Sequence, residues 1–296
     1  MTPTRLDPVL LLATTALIAC GTPLDPPAQP TPVKRNACGL EIVDVPVQVP
    51  KWQDGDPTGG ASGRLLDAKG DPLPDATVLA CTPFTCITSD TDAKGKFLFL
   101  TEELPAVPHK MQMVPSSDKM PILIWYQPIE AGKTTTPGRD IIVPDQSEAK
   151  VPWPVDKGGQ VVLANGTLHL KAAPATLMYP LGTPDDEQAV VATRVKATNL
   201  PPMNEEPWRE SKEPVFAFML NPYPFKASAA IEMKVTGTKL ETGRRYCILS
   251  AEPSTAVIEH VGDAVADANG DLVAEPSSKL SNLSTLVLIA KRKDSD

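Results

Sequence analysis

The sequence SGRLLDAKGDPLPDATVLAC, residues 62–81, predicts two β-strands joined by a turn. On either side of the central segment, apolar residues recur mainly at every second position. This pattern is typical of a half-buried strand. Glycine and proline between the two apolar stretches favour a turn. Residues 86–92, a turn at residues 93–95 and the strand KFLFL at residues 96–100 repeat the pattern. The first half of the chain is therefore predicted to be antiparallel β-structure.

Similar patterns continue along the chain and predict an all-β protein. The 33 prolines leave little room for long helices. An Asn165-Gly166 pair favours a hairpin turn between two of the later strands. The further candidate strands are Lys110 to Val114, Pro121 to Gln127, Gln160 to Ala164, Thr167 to Lys171, Ala175 to Tyr179, Gln188 to Ala197, Val215 to Leu220, Ala229 to Val235, Arg245 to Ser250 and Leu286 to Ala290.

A short apolar segment lies close to the N-terminus. Residues 9–19 are apolar except for two threonines, a length that is too short to span a bilayer but suits an export signal. The segment ends in Leu17-Ile18-Ala19-Cys20, which resembles the lipobox of bacterial lipoproteins. The resemblance implies that residues 1–19 are removed and that Cys20 carries the lipid that anchors the protein in a membrane. A buried helix that ends in an unmodified cysteine is the alternative.

The same resemblance gives an expected location. Gly21, where some lipoproteins have aspartate, implies transport to the outer membrane of the bacterial cell envelope. Removal of residues 1–19 leaves 277 of the 296 residues, enough for two domains. We expect a proline-rich, extended tether at 20–37, a first β-sandwich with an N-terminal extension at 38–155, and a second antiparallel β-sandwich at 156–296.

The order of turns in the first half resembles the carboxypeptidase regulatory-like family. The matching residues are GRLLDAKGDPLPDATV at 63–78 and TDAKGKF at 91–97. The resemblance covers roughly residues 60–130. It implies a transthyretin-like β-sandwich that is not catalytic, even when it is attached to a carboxypeptidase.

Four cysteines other than Cys20 predict disulfide bonds, because their number is even and export leads to an oxidising compartment. Four cysteines allow three pairings. The short loop between Cys81 and Cys86 favours their pairing with each other. Cys38 would then bond to Cys247 and close a long loop, which stabilises the fold by about 4 to 5 kcal/mol in the entropic treatment. Free, buried thiols at Cys38 and Cys247 are the alternative.

Charge and motifs argue against several classes of function. A net charge of −8 and the lack of a basic stripe argue against nucleic acid as a partner. No serine-hydrolase or metallopeptidase motif is present, so we expect a protein that is not an enzyme. No cofactor or metal is expected either. The segment Asp267 to Asp271 suits calcium, but its Asn269-Gly270 pair favours a hairpin turn, and Ser278 stands where an EF-hand needs glutamate. A zinc site is not expected, because Cys81-x₄-Cys86 lacks a second chelating pair and the three histidines are far apart in the chain.

The four tryptophans are predicted to lie mostly in the core, as is usual in a β-sandwich. Trp208 is the exception, because it lies in the polar loop of residues 199–212, and it is the candidate ligand-binding residue. The sequence predicts a membrane-anchored, non-catalytic envelope lipoprotein that acts as a binding or structural module. Its partner would be an envelope protein or a glycan. A carbohydrate-binding surface lipoprotein and an envelope hydrolase, or an accessory to one, are the alternatives.

Overall fold

A computed structural model describes residues 35–41, 55–82, 85–117, 119–146, 148–153, 157–174, 177–178, 188–221, 225–227, 231–278, 280 and 282–291. The candidate lipidation site Cys20, most of the tether and Trp52 lie outside the described residues.

The described chain consists almost entirely of β-strands, which confirms the predicted all-β class. Two 3₁₀ turns, Ala197–Asn199 and Pro207–Arg209, are the helical elements of the described part. The strands are β1 (Thr58–Leu66), β2 (Thr77–Cys81), β3 (Cys86–Asp90), β4 (Lys96–Pro105), β5 (His109–Val114), β6 (Leu123–Gln127), β7 (Thr134–Thr135), β8 (Ile141–Ile142), β9 (Val151–Pro152), β10 (Gly159–Leu163), β11 (Leu168–Ala172), β12 (Leu177–Met178), β13 (Ala189–Val195), β14 (Phe216–Asn221), β15 (Phe225–Ala227), β16 (Glu232–Val235), β17 (Arg245–Ala251), β18 (Ile258–Ala266), β19 (Leu272–Ala274), β20 (Asn282–Leu283) and β21 (Thr285–Ala290).

Two four-stranded sheets form the first half. One consists of β4, β1, β7 and β8, and the other has the order β3-β2-β5-β6. Most strand pairs are antiparallel, whereas β1 pairs in parallel with β7 and β8. In β4, Phe97 and Phe99 point inward, because alternate residues of a strand face opposite sides. They pack in one core with Met111 and Trp125 of the other sheet. The predicted β-sandwich is therefore present.

A ten-stranded antiparallel sheet forms most of the second half, with the order β10-β11-β16-β19-β18-β17-β21-β14-β13-β9. At one end of this sheet, β10 contacts β9 and β13 of the other end. The sheet therefore rolls around its own core, which includes Leu168, Phe218, Tyr246 and Leu288. Rolling of one sheet thus produces the two layers of this half. A separate three-stranded sheet has the order β12-β15-β20.

A third apolar cluster covers the outer face of the rolled sheet. In β17, Tyr246 faces the core inside the roll, whereas Cys247 faces this outer cluster. Ile124 of β6 and Cys38 also belong to it, so residues of both halves share one buried layer. The described residues from Arg35 onward accordingly form a single compact unit. A division of the chain at residue 155 stays a prediction.

Candidate functional site

Both predicted disulfides are present. Cys81 and Cys86 are cross-strand partners at the end of the β2–β3 hairpin and are bonded to each other. Cys38 is bonded to Cys247 across 209 positions of sequence, with their Cα atoms 5.8 Å apart. The second bond fastens the segment of residues 35–41 to β17, an interior strand of the ten-stranded sheet.

Polar side chains of β18 and of the chain end surround the Cys38–Cys247 bond. Cys247 lies opposite Asp263 in the antiparallel ladder, so their side chains project from the same face of the sheet. The Nε2 atom of His260 lies 3.0 Å from Oδ1 of Asp263. The Nζ atom of Lys291 donates a hydrogen bond of 2.7 Å to the other carboxylate oxygen. We call Cys38, Cys247, His260, Asp263 and Lys291 the disulfide cluster.

A β-bulge places His260 in this cluster. Gly262 pairs with Ile248 and His260 pairs with Leu249, which leaves Val261 as the extra residue. In a regular strand, residues three positions apart, such as His260 and Asp263, point to opposite faces of the sheet. The extra residue of the bulge shifts this alternation by one position, so the side chain of His260 projects from the same face as that of Asp263.

The backbone at the bulge packs tightly against the chain that follows β19. A Cβ atom on Gly262 would overlap the side chain of Ser278. Ser278 Oγ accepts a hydrogen bond of 2.9 Å from the backbone N–H of Asp263 and donates one of 2.8 Å to its carbonyl oxygen. The backbone of Asp263 is thus held by two hydrogen bonds to Ser278, in addition to its pairing with Cys247 in the ladder.

The charge of Asp263 is balanced by the ammonium group of Lys291. Burial alone raises the pKa of Asp263, but hydrogen bonds from Lys291 and His260 outweigh it, and the pKa lies below the ordinary value. A cavity of about 350 Å³ adjoins the cluster and is lined by Cys38, Lys291 and Arg244 among others. The carboxylate therefore stays ionised at neutral pH, and the cavity rim beside it carries charges of both signs.

The expectation that Trp208 is exposed is wrong. Its side chain is only 3% exposed and packs in the outer apolar cluster with Cys38. The loop is docked by its own charges, because Glu206 forms an ion pair of 2.6 Å with Arg139. Pro207 starts a 3₁₀ turn that directs the indole ring inward. Trp208 therefore offers no surface on which a sugar ring could stack.

The other tryptophans of the described chain behave as predicted. Trp125 and Trp153 are buried in the cores of the first and second halves.

The predicted hairpin turn at Asp267 is present between β18 and β19. Lys234 Nζ lies 3.0 Å from a carboxylate oxygen of Asp267 and 3.0 Å from one of Asp271. These hydrogen bonds raise the pKa of Lys234, the one with Asp271 contributing most. The ammonium group thus takes the place that a calcium ion would need between the two carboxylates.

Each of the three histidines has its own hydrogen-bond partner. A ring nitrogen of buried His109 lies 2.8 Å from the carbonyl oxygen of Val107. Burial lowers the pKa of His109, so this ring is held neutral. His169 lies on the surface of β11, where Nδ1 is 2.8 Å from Gln160 Nε2. Among the described residues, His260 is the only histidine that belongs to a group of at least three potential metal ligands that includes cysteines.

Two open clefts lie on the surface of the described chain. One, of about 870 Å³, is in the first half, where Arg64 forms an ion pair of 3.6 Å with Asp140. The other, of about 650 Å³, lies on the outer face of β11, β16 and β19, where Lys171 pairs with Glu232 at 3.0 Å. Both clefts carry charges of both signs.

No protein family model and no curated protein sequence matches this chain. Three solved structures with some similarity are very distant in sequence. The Bacillus anthracis TIE protein is 8% identical, with a TM-score of 0.26 over 73% of this chain, which spans 42% of that protein. A DUF3823 family protein from Parabacteroides merdae is 8% identical, with a TM-score of 0.23 over 80% of this chain and 100% of that one. The streptococcal ancillary pilin is 10% identical, with a TM-score of 0.24 over 86% of this chain and 66% of that one.

TM-scores this low establish no common family. In the part of the chain that the structure describes, no helix has the length and apolar character needed to cross a membrane.

Proposed function

We propose that this protein is a lipid-anchored lipoprotein of the bacterial envelope, directed to the outer membrane, whose β-body is a non-catalytic binding or structural module. One observation carries the proposal. The lipobox-like residues 17–20 are followed by the tether, and the chain is then bonded covalently into its own sheet through Cys38 and Cys247.

The attachment of residues 35–41 suits a protein that is held by its N-terminus. Arg35 forms an ion pair of 3.1 Å with Glu205, and the same carboxylate accepts the backbone N–H of Glu41 at 2.8 Å. The Oδ1 atom of Asn36 accepts the backbone N–H of Cys38 at 2.9 Å. A pull on the tether would therefore act on a covalent bond to an interior strand, which resists it better than an edge strand held by hydrogen bonds.

The tether sets the reach of the body above the membrane. Residues 21–34 separate Cys20 from the fastened segment, and at the rise of an extended proline-rich chain they would span about 40 Å. Such a reach would let either open cleft meet another envelope component. The resemblance to the carboxypeptidase regulatory-like family supports a role in binding rather than in catalysis.

The anchor is tested by changing Cys20→Ser in cells. The unchanged protein should be acylated and fractionate with membranes, whereas the variant should be unprocessed or soluble. A Cys81→Ser/Cys86→Ser variant is the control, because it loses two cysteines but keeps Cys20, and it should stay in the membrane fraction. A Cys20→Ser protein that fractionates like the unchanged protein would refute the anchor.

The binding role is tested by crosslinking in cells, purification of the intact lipoprotein and identification of its partners by mass spectrometry. Recovery of one envelope protein in stoichiometric amount supports a component of an assembly. Recovery of glycan alone, with no protein, would argue against a structural role and would indicate that the module binds a glycan ligand. Turnover of peptides or glycosides by the purified chain would overturn the non-catalytic role.

A further inference from the structure

We propose that Cys38, Cys247, His260 and Asp263 form a zinc site when the Cys38–Cys247 disulfide is reduced. One ligand atom from each of the four residues, two sulfurs, one imidazole nitrogen and one carboxylate oxygen, lies within 4.8 Å of all the others. Structural zinc sites are tetrahedral, with distances of about 2.0 to 2.3 Å from the metal to nitrogen, oxygen and sulfur ligands. Four donors this close together can meet those distances after small side-chain movements.

Three of the four ligands are held in place by the sheet. Cys247 and Asp263 are cross-strand partners, and the bulge at Val261 brings His260 to the same face. The fourth, Cys38, belongs to residues 35–41, which lie outside the named strands. Tetrahedral coordination requires the two sulfurs to lie about 3.8 Å apart, so they must separate after reduction. Because hydrogen bonds and an ion pair hold the backbone of residues 35–41, rotation of the Cys38 side chain would have to supply this separation.

The neighbouring residues favour a bound zinc ion. Two thiolates and one carboxylate carry three negative charges, one more than Zn²⁺ balances. Lys291, 2.7 Å from the second carboxylate oxygen of Asp263, supplies a further positive charge and orients the ligand. Zinc would replace the present hydrogen bond between His260 and Asp263. Both cysteines are buried, whereas His260 is exposed, so a metal ion could enter the site from the histidine side.

Reduction and metal binding are separate steps. A dithiol reductant gives two electrons and two protons to the disulfide, becomes a cyclic disulfide itself and leaves two cysteine thiols. Zinc then displaces both thiol protons into solvent, and no group is oxidised or reduced in that step. A small disulfide accepts two electrons from the sulfurs by thiol–disulfide exchange and leaves as two thiols that take up protons from solvent, which restores the Cys38–Cys247 bond and releases the metal. In either state residues 35–41 remain fastened to β17, by a covalent bond or by a metal ion.

The experiment uses the full chain in detergent with the changes Cys81→Ser/Cys86→Ser. Cys38 and Cys247 are then the one cysteine pair left that can bind metal. The protein is reduced with a phosphine under nitrogen and titrated with Co²⁺. We expect one equivalent to bind, with thiolate-to-cobalt charge-transfer bands and the visible bands of tetrahedral cobalt. Zn²⁺ should displace the cobalt, and the oxidised protein should give none of these bands.

Variants assign the ligands. His260→Ala and Asp263→Asn should each weaken cobalt binding at least tenfold. His169→Ala, at a surface histidine of another strand, is the matched control and should leave the affinity unchanged. The site is refuted if the reduced, folded protein binds no Co²⁺, or if neither His260→Ala nor Asp263→Asn changes the affinity. It is equally refuted if circular dichroism shows that reduction unfolds the chain and Zn²⁺ does not restore it.

Discussion

Asp92 in the first half and Asp267 in the second make the same set of hydrogen bonds. The Oδ1 atom of Asp92 accepts the backbone N–H groups of residues 94 and 96 at 2.8 and 2.9 Å. The Oδ1 atom of Asp267 accepts those of residues 269 and 271 at 2.8 and 3.1 Å. Asp67 repeats the arrangement at 2.8 and 2.9 Å. One turn sequence, Asp-Ala-x-Gly-x, thus closes three turns in different parts of the chain.

The aspartates of these turns predict that the protein loses stability in acid, at pH values below the ordinary pKa of a carboxyl group. Backbone hydrogen bonds lower the pKa of Asp92 from 3.8, the one from Lys96 contributing most. A lowered pKa in the folded state gives stability above pH 3.8 that is lost as the pH falls through the folded value. We expect Asp92→Asn to reduce this loss, because the amide oxygen still accepts both N–H groups but carries no charge. Urea unfolding of both proteins at neutral pH and below pH 4 measures the loss of stability in acid. The same loss in Asp92→Asn as in the unchanged protein would contradict the prediction.

The two disulfides should contribute very differently to stability. The bond between Cys38 and Cys247 closes a loop with a sequence separation of 209, whereas that between Cys81 and Cys86 closes a loop with a separation of 5. In the entropic treatment these loops correspond to about 5 and about 2 kcal/mol. The change Cys38→Ala/Cys247→Ala should therefore lower the free energy of unfolding by more than Cys81→Ala/Cys86→Ala. Equal losses in urea titrations would show that loop length does not govern these bonds.

Local pattern was enough to predict β4, because the mostly apolar run KFLFL directly follows a turn, and in the structure its two phenylalanines point inward. The strand β18 was not predicted, because its bulge interrupts the alternation at Val261 and Gly262. The two disulfides were predictable from the short loop at Cys81 and the even count of cysteines. The position of His260 beside Cys247 was not, because it depends on the register between strands and on one extra residue.

The burial of Trp208 could not be predicted from its polar surroundings in the sequence either. Its neighbours in the sequence are charged, but they pair with one another and with Arg139, which leaves the ring to the core. Trp208→Ala should lower the free energy of unfolding by about 3 to 5 kcal/mol, because it leaves a cavity in a buried cluster. Trp208→Phe should cost less, because it keeps most of the apolar volume. Chemical denaturation that detects no loss for Trp208→Ala would mean that the ring is exposed.

The bulge at Gly262 should tolerate no side chain. Gly262→Ala would push its Cβ atom into Ser278, and overpacking of this kind costs about 1 to 3 kcal/mol. Ser278→Gly removes the two nearest obstructing atoms, Cβ and Oγ, and leaves the Cα atom at 2.7 Å from the added Cβ atom. Gly262→Ala should therefore cost less in the Ser278→Gly background than in the unchanged protein. A thermodynamic cycle of the four proteins measures the coupling, and strictly additive losses would show that these two positions do not collide.

Tyr246 predicts a loss of stability in alkali. Its side chain is fully buried in the core of the rolled sheet, 5.9 Å from Phe216 between ring centroids, and its hydroxyl has no hydrogen-bond partner among the described residues. Burial, with a smaller contribution from Glu213, raises the pKa of Tyr246 from 10.0 to about 12.

The unfolded chain therefore releases this proton at a lower pH than the folded protein does. The stability that Tyr246 contributes is complete below pH 10 and falls by about 2 kcal/mol as the pH rises to 12. Tyr246→Phe removes the titrating group and should unfold in urea much as the unchanged protein does at pH 8, because the lost hydroxyl had no partner. Between pH 10 and 12 the variant should lose less stability than the unchanged protein. If both proteins lose the same amount over this range, the hydroxyl of Tyr246 reaches solvent in the folded state.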